Sequence, residues 1–276
     1  MLTWANVLQW GKGTADAGAG PATNHSDPLL ESMIANEQID VLYQPQIEPV
    51  TGRILAAEAL ARSPIAQSAD MLFERAARAG LHEQLSRVVQ RKALRAAAAW
   101  SGPLAGLGIS LNLLPQEISR VGHDQWLLEE VGHCGIDPRR VTVEITESAL
   151  LADEAAAAER LLRLRDAGFR IAVDDFGTGY ASLAYLISLP LDLIKIDRRL
   201  VCDIVGGARD RIVLRALIQL ARELDLKVIV EGVESTSQLA LLVDWGCECY
   251  QGFLAAGALT EEELWRFVTA SLVEAA

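Results

Sequence analysis

The chain has 276 residues, 51% hydrophobic and 22% charged, the composition of a globular protein with a full core and room for one large α/β barrel or two smaller domains. Its net charge of −12 argues against a long nucleic acid held by its phosphate backbone, but allows a small anion wherever cations or local Arg and Lys invert the field. Cys134, Cys202, Cys247 and Cys249 form neither a disulfide framework nor a zinc ladder. No apolar run reaches the ~18 residues of a membrane-spanning helix, and residues 1–10 lack the charged, apolar and cleavage regions of a signal peptide. The expectation is a soluble, cytoplasmic protein without membrane insertion.

Residues 1–27 read as a flexible N-terminal extension, with small residues and glycines over 11–21. Residues 1–10 are apolar at several positions, which leaves open a docking segment or the stub of another domain. Asp27-Pro28 reads as a helix N-cap with proline at the first position, opening a single unit over 28–276. Strands are expected over 41–47 and 53–60, and the linking residues 48–52 are too few for a crossover helix. These strands therefore form an antiparallel hairpin, 41–60. Further strands are expected at 107–113, 141–147, 170–175, 192–197, 227–231 and 247–252. Helices are expected near 70–80, 83–100, 123–133, 153–166, 208–224, 235–245 and 261–272. Eight strands with mostly helical crossovers predict a (β/α)8 TIM-like barrel with one antiparallel strand. A doubly wound open sheet is the alternative, because sequence does not show closure.

The most informative run is 171–180, where an apolar strand meets two adjacent carboxylates, Asp174 and Asp175, and then a loop with glycines two apart. The plain reading is a turn acid followed by a helix N-cap. What weighs against it is the company at other strand ends, where barrels of this kind carry their reactive groups. Those ends offer Glu58, Asn112, Glu144 with Glu147, Lys195 with Asp197, Glu231 with Glu234, and Gln251. The hairpin adds Gln44 to the rim that carries Glu58 and Arg62. Like charges about 4 Å apart repel by about 4 kcal/mol at an effective dielectric near 20. Lys195 alone does not neutralise such a set, so protons or cations must. Hard oxygen donors with one Asn amide favour Mg²⁺ or Mn²⁺. His25, His82, His123 and His133 all fall away from the strand ends, which argues against a zinc site or a histidine base. The nucleophile is then a water activated by cations.

These motifs carry a resemblance. The chain resembles the EAL-domain family of cyclic di-GMP phosphodiesterases from about residue 28 to 270, through Tyr43-Gln-Pro, Glu58-Ala-Leu60 with Arg62, Asn112, Glu144-Ile-Thr-Glu147, Asp174-Asp-Phe-Gly-Thr-Gly-Tyr180, Lys195-Ile-Asp197, Glu231-Gly-Val-Glu234 and Gln251-Gly252. The resemblance implies that Glu58, Asn112, Glu144 and Asp174 hold one Mg²⁺ or Mn²⁺. Asp174 would bridge to a second ion, completed by Asp175 and Glu231. It further implies that Lys195 orients the attacking water, with Glu231 and Glu147 also in the catalytic set. Glu147 would support the loop 176–183 and couple metal binding to homodimer contacts near 180–222. Arg62 would clamp a phosphate, while Gln44, Leu60, Asp197, Glu234 and Gln251 hold the nucleotide. The implied reaction is in-line attack of a metal-bridged hydroxide, opening cyclic di-GMP to linear pGpG.

Plainer roles stay open for several of these groups. Glu147 and Glu234 read equally as helix N-terminal charges, Asp197 as a cap, Lys195 as a counter-ion and Arg62 as a surface arginine. Two segments depart from the family pattern: 63–69 replaces an aromatic and His-Pro stretch, and 257–260 replaces an Arg-Pro-Leu-Pro run. Both border the expected nucleotide cleft. Alternatives to the enzyme are a binding module that senses cyclic di-GMP without turnover, and an unrelated metal-dependent barrel lyase.

Overall fold

The computed structural model describes residues 26–146, 154–177 and 185–274. Asp27 caps the first helix, α1 (Pro28–Ala35): its Oδ1 accepts the Leu30 N–H at 3.1 Å, and Pro28 occupies a position that needs no amide donor. The hairpin follows as β1 (Asp40–Ile47) and β2 (Ile54–Arg62), antiparallel, with Gln44 opposite Glu58. Next come α2 (Ala69–Arg78), α3 (His82–Ala99), β3 (Gly108–Leu113), α4 (Pro115–Ser119), α5 (His123–Cys134) and β4 (Val141–Thr146). The chain continues through α6 (Glu154–Asp166), β5 (Arg170–Phe176), α7 (Tyr185–Ser188), β6 (Leu193–Ile196) and α8 (Ala208–Glu223). It ends with β7 (Lys227–Glu231), α9 (Thr236–Asp244), β8 (Cys249–Gln251) and α10 (Glu261–Glu274).

Strands β2 to β8 pair in parallel in chain order, and Ile47 of β1 meets Tyr250 of β8 antiparallel, so the eight strands close. Closure decides for the barrel over the open sheet. Element ends differ from the expected ones by one or two residues: β2 runs on to Arg62, and β8 is confined to Cys249–Gln251. The short α4 and α7, of 5 and 4 residues, show no period that a sequence window would detect.

Period-two alternation then places the chemistry. Ala172, Leu193, Ile229 and Cys249 form a small buried cluster inside the barrel. Their neighbours in sequence, Val173, Ile194, Val228 and Val230, face the larger core between sheet and helices. Two residues beyond each interior residue, on the same face, stand Asp174, Lys195, Glu231 and Gln251. The apolar layer is thus a floor, and the polar groups form the layer above it at the carboxyl ends of the strands. Cys247 precedes β8 in the outer core and Cys249 belongs to the floor. No described helix is long and apolar enough to cross a membrane.

Candidate active site

Lys195 is the centre of the polar layer and is 1% exposed. Its Nζ lies 2.7 Å from Glu144 Oε2, 2.8 Å from Glu231 Oε1, 3.2 Å from Asp174 Oδ1 and 3.3 Å from Glu58 Oε2. A buried ammonium persists only where it is paired, and here one cation serves four carboxylates. Amides complete the ring. Asn112 Nδ2 donates to Glu58 Oε1 at 2.9 Å, and Gln251 Nε2 donates to Glu58 Oε2 at 2.7 Å and to Gln44 Oε1 at 3.0 Å. Gln46 Nε2 donates to Glu144 Oε1 at 3.4 Å from one step further into the barrel. Gln251 Oε1 is buried and has no hydrogen-bond partner among the described residues.

The adjacent acids reach the same space by a break in the sheet. Consecutive strand residues normally point to opposite faces. Here the β5–β6 register shifts between Val173 and Phe176, and Asp175 adopts φ +57, in the left-handed region. The Asp175 N–H donates to Asp174 Oδ1 at 2.9 Å. As a result both carboxylates face the barrel mouth, where Asp174, Asp175 and Glu231 bring oxygens within 4.8 Å of one another. A left-handed backbone at a non-glycine residue marks a site where geometry is held by its surroundings.

Burial and charge act in opposite directions on these groups. Burial drives the Glu144 carboxyl up to about 8, with Lys195 opposing and Glu58 and Asp174 adding to the rise. Burial likewise raises Asp174 and lifts Glu231 well above the carboxylate range, against the pull of Lys195. Asp175 rises to about 7, through burial and then the charges of Asp174 and Asp197. Glu58 alone of the five falls below its ordinary value: burial is outweighed by Lys195 and by the Gln251 and Asn112 amides. Lys195 stays firmly protonated, because the surrounding carboxylates overcome the cost of burying its charge.

Most of the residues expected from sequence converge here. Glu58, Glu144 and Asp174 form one trio of ligating oxygens and Asp174, Asp175 and Glu231 a second, with Asp174 common to both. Asn112 is exposed at the mouth and bonded to the first trio. Gln44, Asp197, Glu234 and Gln251 line one cleft of about 230 Å³, together with Arg198 and the exposed Phe253. Asp197 is buried, and its Oδ1 accepts the Arg199 backbone N–H at 2.8 Å, the capping contact that sequence also allowed. Leu60 and Arg62 stand further along β2, outside that lining, with Arg62 Nη1 donating to the Ala61 carbonyl at 2.8 Å. Glu147 lies outside the described residues. Sequence reasoning missed Gln46, Arg198 and Phe253. Gln46 had a signal, since it follows Gln44 by two residues on the same strand face.

The donor set suits Mg²⁺ or Mn²⁺. It offers hard oxygens in two groups that share one carboxylate, no described His or Cys among them, with five carboxyl groups set around Lys195. The unpartnered Gln251 Oε1 adds one more acceptor at the same rim.

A family model described as EAL domain matches residues 29–258. The chain is 35% identical over 258 residues to the cyclic di-GMP phosphodiesterase NbdA of Pseudomonas aeruginosa, covering 90% of this chain and 32% of that protein. It is 34% identical over 242 residues to the probable cyclic di-GMP phosphodiesterase PdeB of Escherichia coli, covering 86% of this chain and 46% of that one. The chain therefore spans less than half the length of these relatives. Among solved structures, the PaMucR phosphodiesterase in complex with c-di-GMP superposes with a TM-score of 0.80 at 31% identity, over 85% of this chain and 97% of that one. The manganese and cyclic di-GMP complex of Klebsiella pneumoniae BlrP1 does so with a TM-score of 0.73 at 29% identity, over 80% and 56%. A match over most of its length, on a closed barrel whose mouth gathers the carboxylates, places this chain in the EAL-domain family, among whose named members are cyclic di-GMP phosphodiesterases.

Proposed function

We propose that this chain is a metal-dependent phosphodiesterase that hydrolyses cyclic di-GMP to linear pGpG, and that residues 28–276 form its catalytic unit behind an N-terminal extension. The observation that carries this reading is the pair of carboxylate trios sharing Asp174, set against a buried, protonated Lys195 and opening into a polar cleft. Glu58, Asn112, Glu144 and Asp174 would hold one ion, and Asp174, Asp175 and Glu231 another. Two Mg²⁺ or Mn²⁺ ions bound there would polarise the phosphoryl oxygens and activate water for attack.

The chain's own residues have distinct tasks. Lys195 holds a fixed positive charge where negative charge grows on the phosphoryl group, and it keeps its proton throughout. Glu144 and Glu231 hold Lys195 in place through their contacts to Nζ. Gln251, tied to both Glu58 and Gln44, sets the height of the substrate above the carboxylates. Asp197 and Glu234 offer acceptors to the N–H edges of a guanine, with Arg198 and Arg62 as cations for phosphate. Glu147 and Leu60 complete the proposed set. Overall one water adds across a P–O3′ bond: its hydroxyl goes to phosphorus and its proton to the departing ribose oxygen.

A second copy of this chain is the proposed partner. Ile187, Val205, Ile212 and Val213 are exposed around α7 and α8, within the stretch 180–222 for which the family resemblance implies dimer contacts. The proposed location is the cytoplasm.

Purified protein incubated with cyclic di-GMP and Mg²⁺ or Mn²⁺ tests the reading, with a chelator control and Glu58→Ala. The expected result is pGpG formation that both controls abolish. Tight binding without pGpG would replace the enzyme by a sensor, and the absence of both binding and turnover would refute the assignment.

A further inference from the structure

Behind Asn112, on the helix side of the barrel, a second buried polar cluster has no part in the chemistry derived so far. Glu117 on α4 is 1% exposed, as is Gln90 on α3, and Ser86 is 2% exposed. Ser86 and Gln90 are four residues apart and share one helix face. Glu117 Oε2 accepts three hydrogen bonds: from the Leu114 N–H at 2.8 Å, from Ser86 Oγ at 3.0 Å and from Gln90 Nε2 at 3.2 Å. Gln90 Nε2 also donates to the Asn112 carbonyl at 3.1 Å. The orientation of the Gln90 amide follows from its surroundings, since the reverse would set its oxygen against the Asn112 carbonyl and the Glu117 carboxylate.

The placement of these bonds is informative. Pairing between β2 and β3 runs from Ala56↔Gly108 to Glu58↔Ser110 and stops two residues short of Asn112. On its other side β3 remains paired with β4 through Asn112↔Glu144 and Leu113↔Ile145. The strand end that presents the Asn112 side chain to Glu58 is therefore held by the sheet on one flank only. On the other flank the carbonyl of Asn112 goes to Gln90 and the N–H of Leu114 goes to Glu117, one on each side of Leu113. Gln90 Oε1 and Glu117 Oε1 are buried without a hydrogen-bond partner among the described residues, a cost in stability that the cluster bears while it sends two of its bonds to that turn of backbone.

We propose that Gln90 and Glu117 are positioning residues for Asn112, fixing the backbone that carries its amide oxygen to the metal site. The inference rests on the reading of Asn112 as a metal ligand. Outer residues that orient a ligand typically contribute about 10- to 100-fold to metal affinity.

The test is Mn²⁺ affinity of the full chain without substrate, read by the electron paramagnetic resonance of free Mn²⁺, with thermal melts as the check on folding. Gln90→Leu is expected to weaken Mn²⁺ binding about tenfold, and Gln90→Met, which keeps the length and removes the donor, is expected to do the same. Glu117→Leu should weaken it comparably, whereas Glu117→Gln, which retains an acceptor for the Leu114 N–H, should keep the wild-type affinity. Combined with Asn112→Ala, the Gln90 changes should cause no further loss, because both act through one ligand. Wild-type affinity in both Gln90 variants, or equal losses with and without Asn112, would overturn the proposal while leaving the ligand reading intact. An Asn112→Ala variant with undiminished affinity would overturn the ligand reading, and this inference with it.

Discussion

Lys195 Nζ donates to Glu144 Oε2 at 2.7 Å, a bond inside the barrel that joins β6 to β4 past the intervening β5. It is the closest of four contacts made by the same ammonium, and burial, with the neighbouring Glu58 and Asp174 charges, raises both Glu144 and Glu231 above the ordinary carboxylate range against its pull. Lys195→Met removes that charge with little change in volume. Turnover of cyclic di-GMP should fall by about 100-fold or more, the scale of losing one fixed transition-state donor. Metal-free stability should show the cause. An acid with a raised folded pKa contributes stability below its unfolded value, and loses it as pH rises through the folded one. Without Lys195 these pKa values rise further, so the melting temperature should fall behind wild type more at pH 8 than at pH 6. A deficit independent of pH would contradict the charge-balancing role.

Asp174 belongs to both carboxylate trios, whereas Glu58 and Asp175 each belong to one. Removing its charge should therefore disturb two ions, not one. Calorimetric titration with Mn²⁺ should give Asp174→Asn weakened binding at both sites. Glu58→Gln and Asp175→Asn should each retain one site near wild-type strength. Asparagine tolerates the left-handed backbone that Asp175 adopts, which makes the second variant a clean probe of charge. One intact site in Asp174→Asn would remove the bridging role.

The residues of the site were legible because a strand displays every second side chain on one face. Glu58, Asn112, Glu144, Lys195, Glu231 and Gln251 could each be read from a strand end without knowing the barrel's closure. The hairpin pairing of Gln44 with Glu58 followed from a turn too short for a helix. Asp175 is different. Alternation would turn it away from Asp174, and only the broken β5–β6 register and a positive φ bring it back. Gln90 shows the other limit. A polar residue on the buried face of an amphipathic helix looks like a flaw in the apolar stripe, and beyond Ser86 one turn back its partners lie 22 and 27 residues away. Distances of that kind arise from packing, which no local period encodes.

Glu117 gives a pH signature of the outer cluster. Burial pushes its carboxyl up to about 7, more than the Leu114, Ser86 and Gln90 donors lower it. Its contribution to stability is thus full below about 4.5 and is lost as pH rises through about 7. Glu117→Gln has no proton to lose. Relative to wild type, the variant should gain about 2 kcal/mol between pH 5 and pH 8. His123, whose Nε2 lies 3.9 Å from Glu117 Oε1, is lowered to about 4 chiefly by burial; it is neutral in the fold across pH 5–8 with or without that carboxyl, so its own pH dependence cancels in the difference. Denaturant unfolding at the two pH values checks the gain, and a constant difference would mean that Glu117 is ionised throughout.

Gly232 and Gly52 separate backbone strain from crowding at the cleft. Both are left-handed, at φ +68 and +70, so alanine at either costs about 1–2 kcal/mol from conformation alone. Around Gly52, in the hairpin turn at the end of the barrel away from the mouth, an added Cβ meets nothing within 4 Å. At Gly232 it would stand 2.2 Å from Arg198 Cβ and 3.2 Å from Arg198 Cα. Arg198 lines the cleft next to Asp197 and cannot yield without moving that wall. Gly232→Ala should therefore lose about 1–3 kcal/mol more than Gly52→Ala, the usual cost of overpacking. It should also raise KM for cyclic di-GMP, while Gly52→Ala leaves KM unchanged. Equal stability losses with equal KM values would show that the Gly232–Arg198 contact does not shape the cleft.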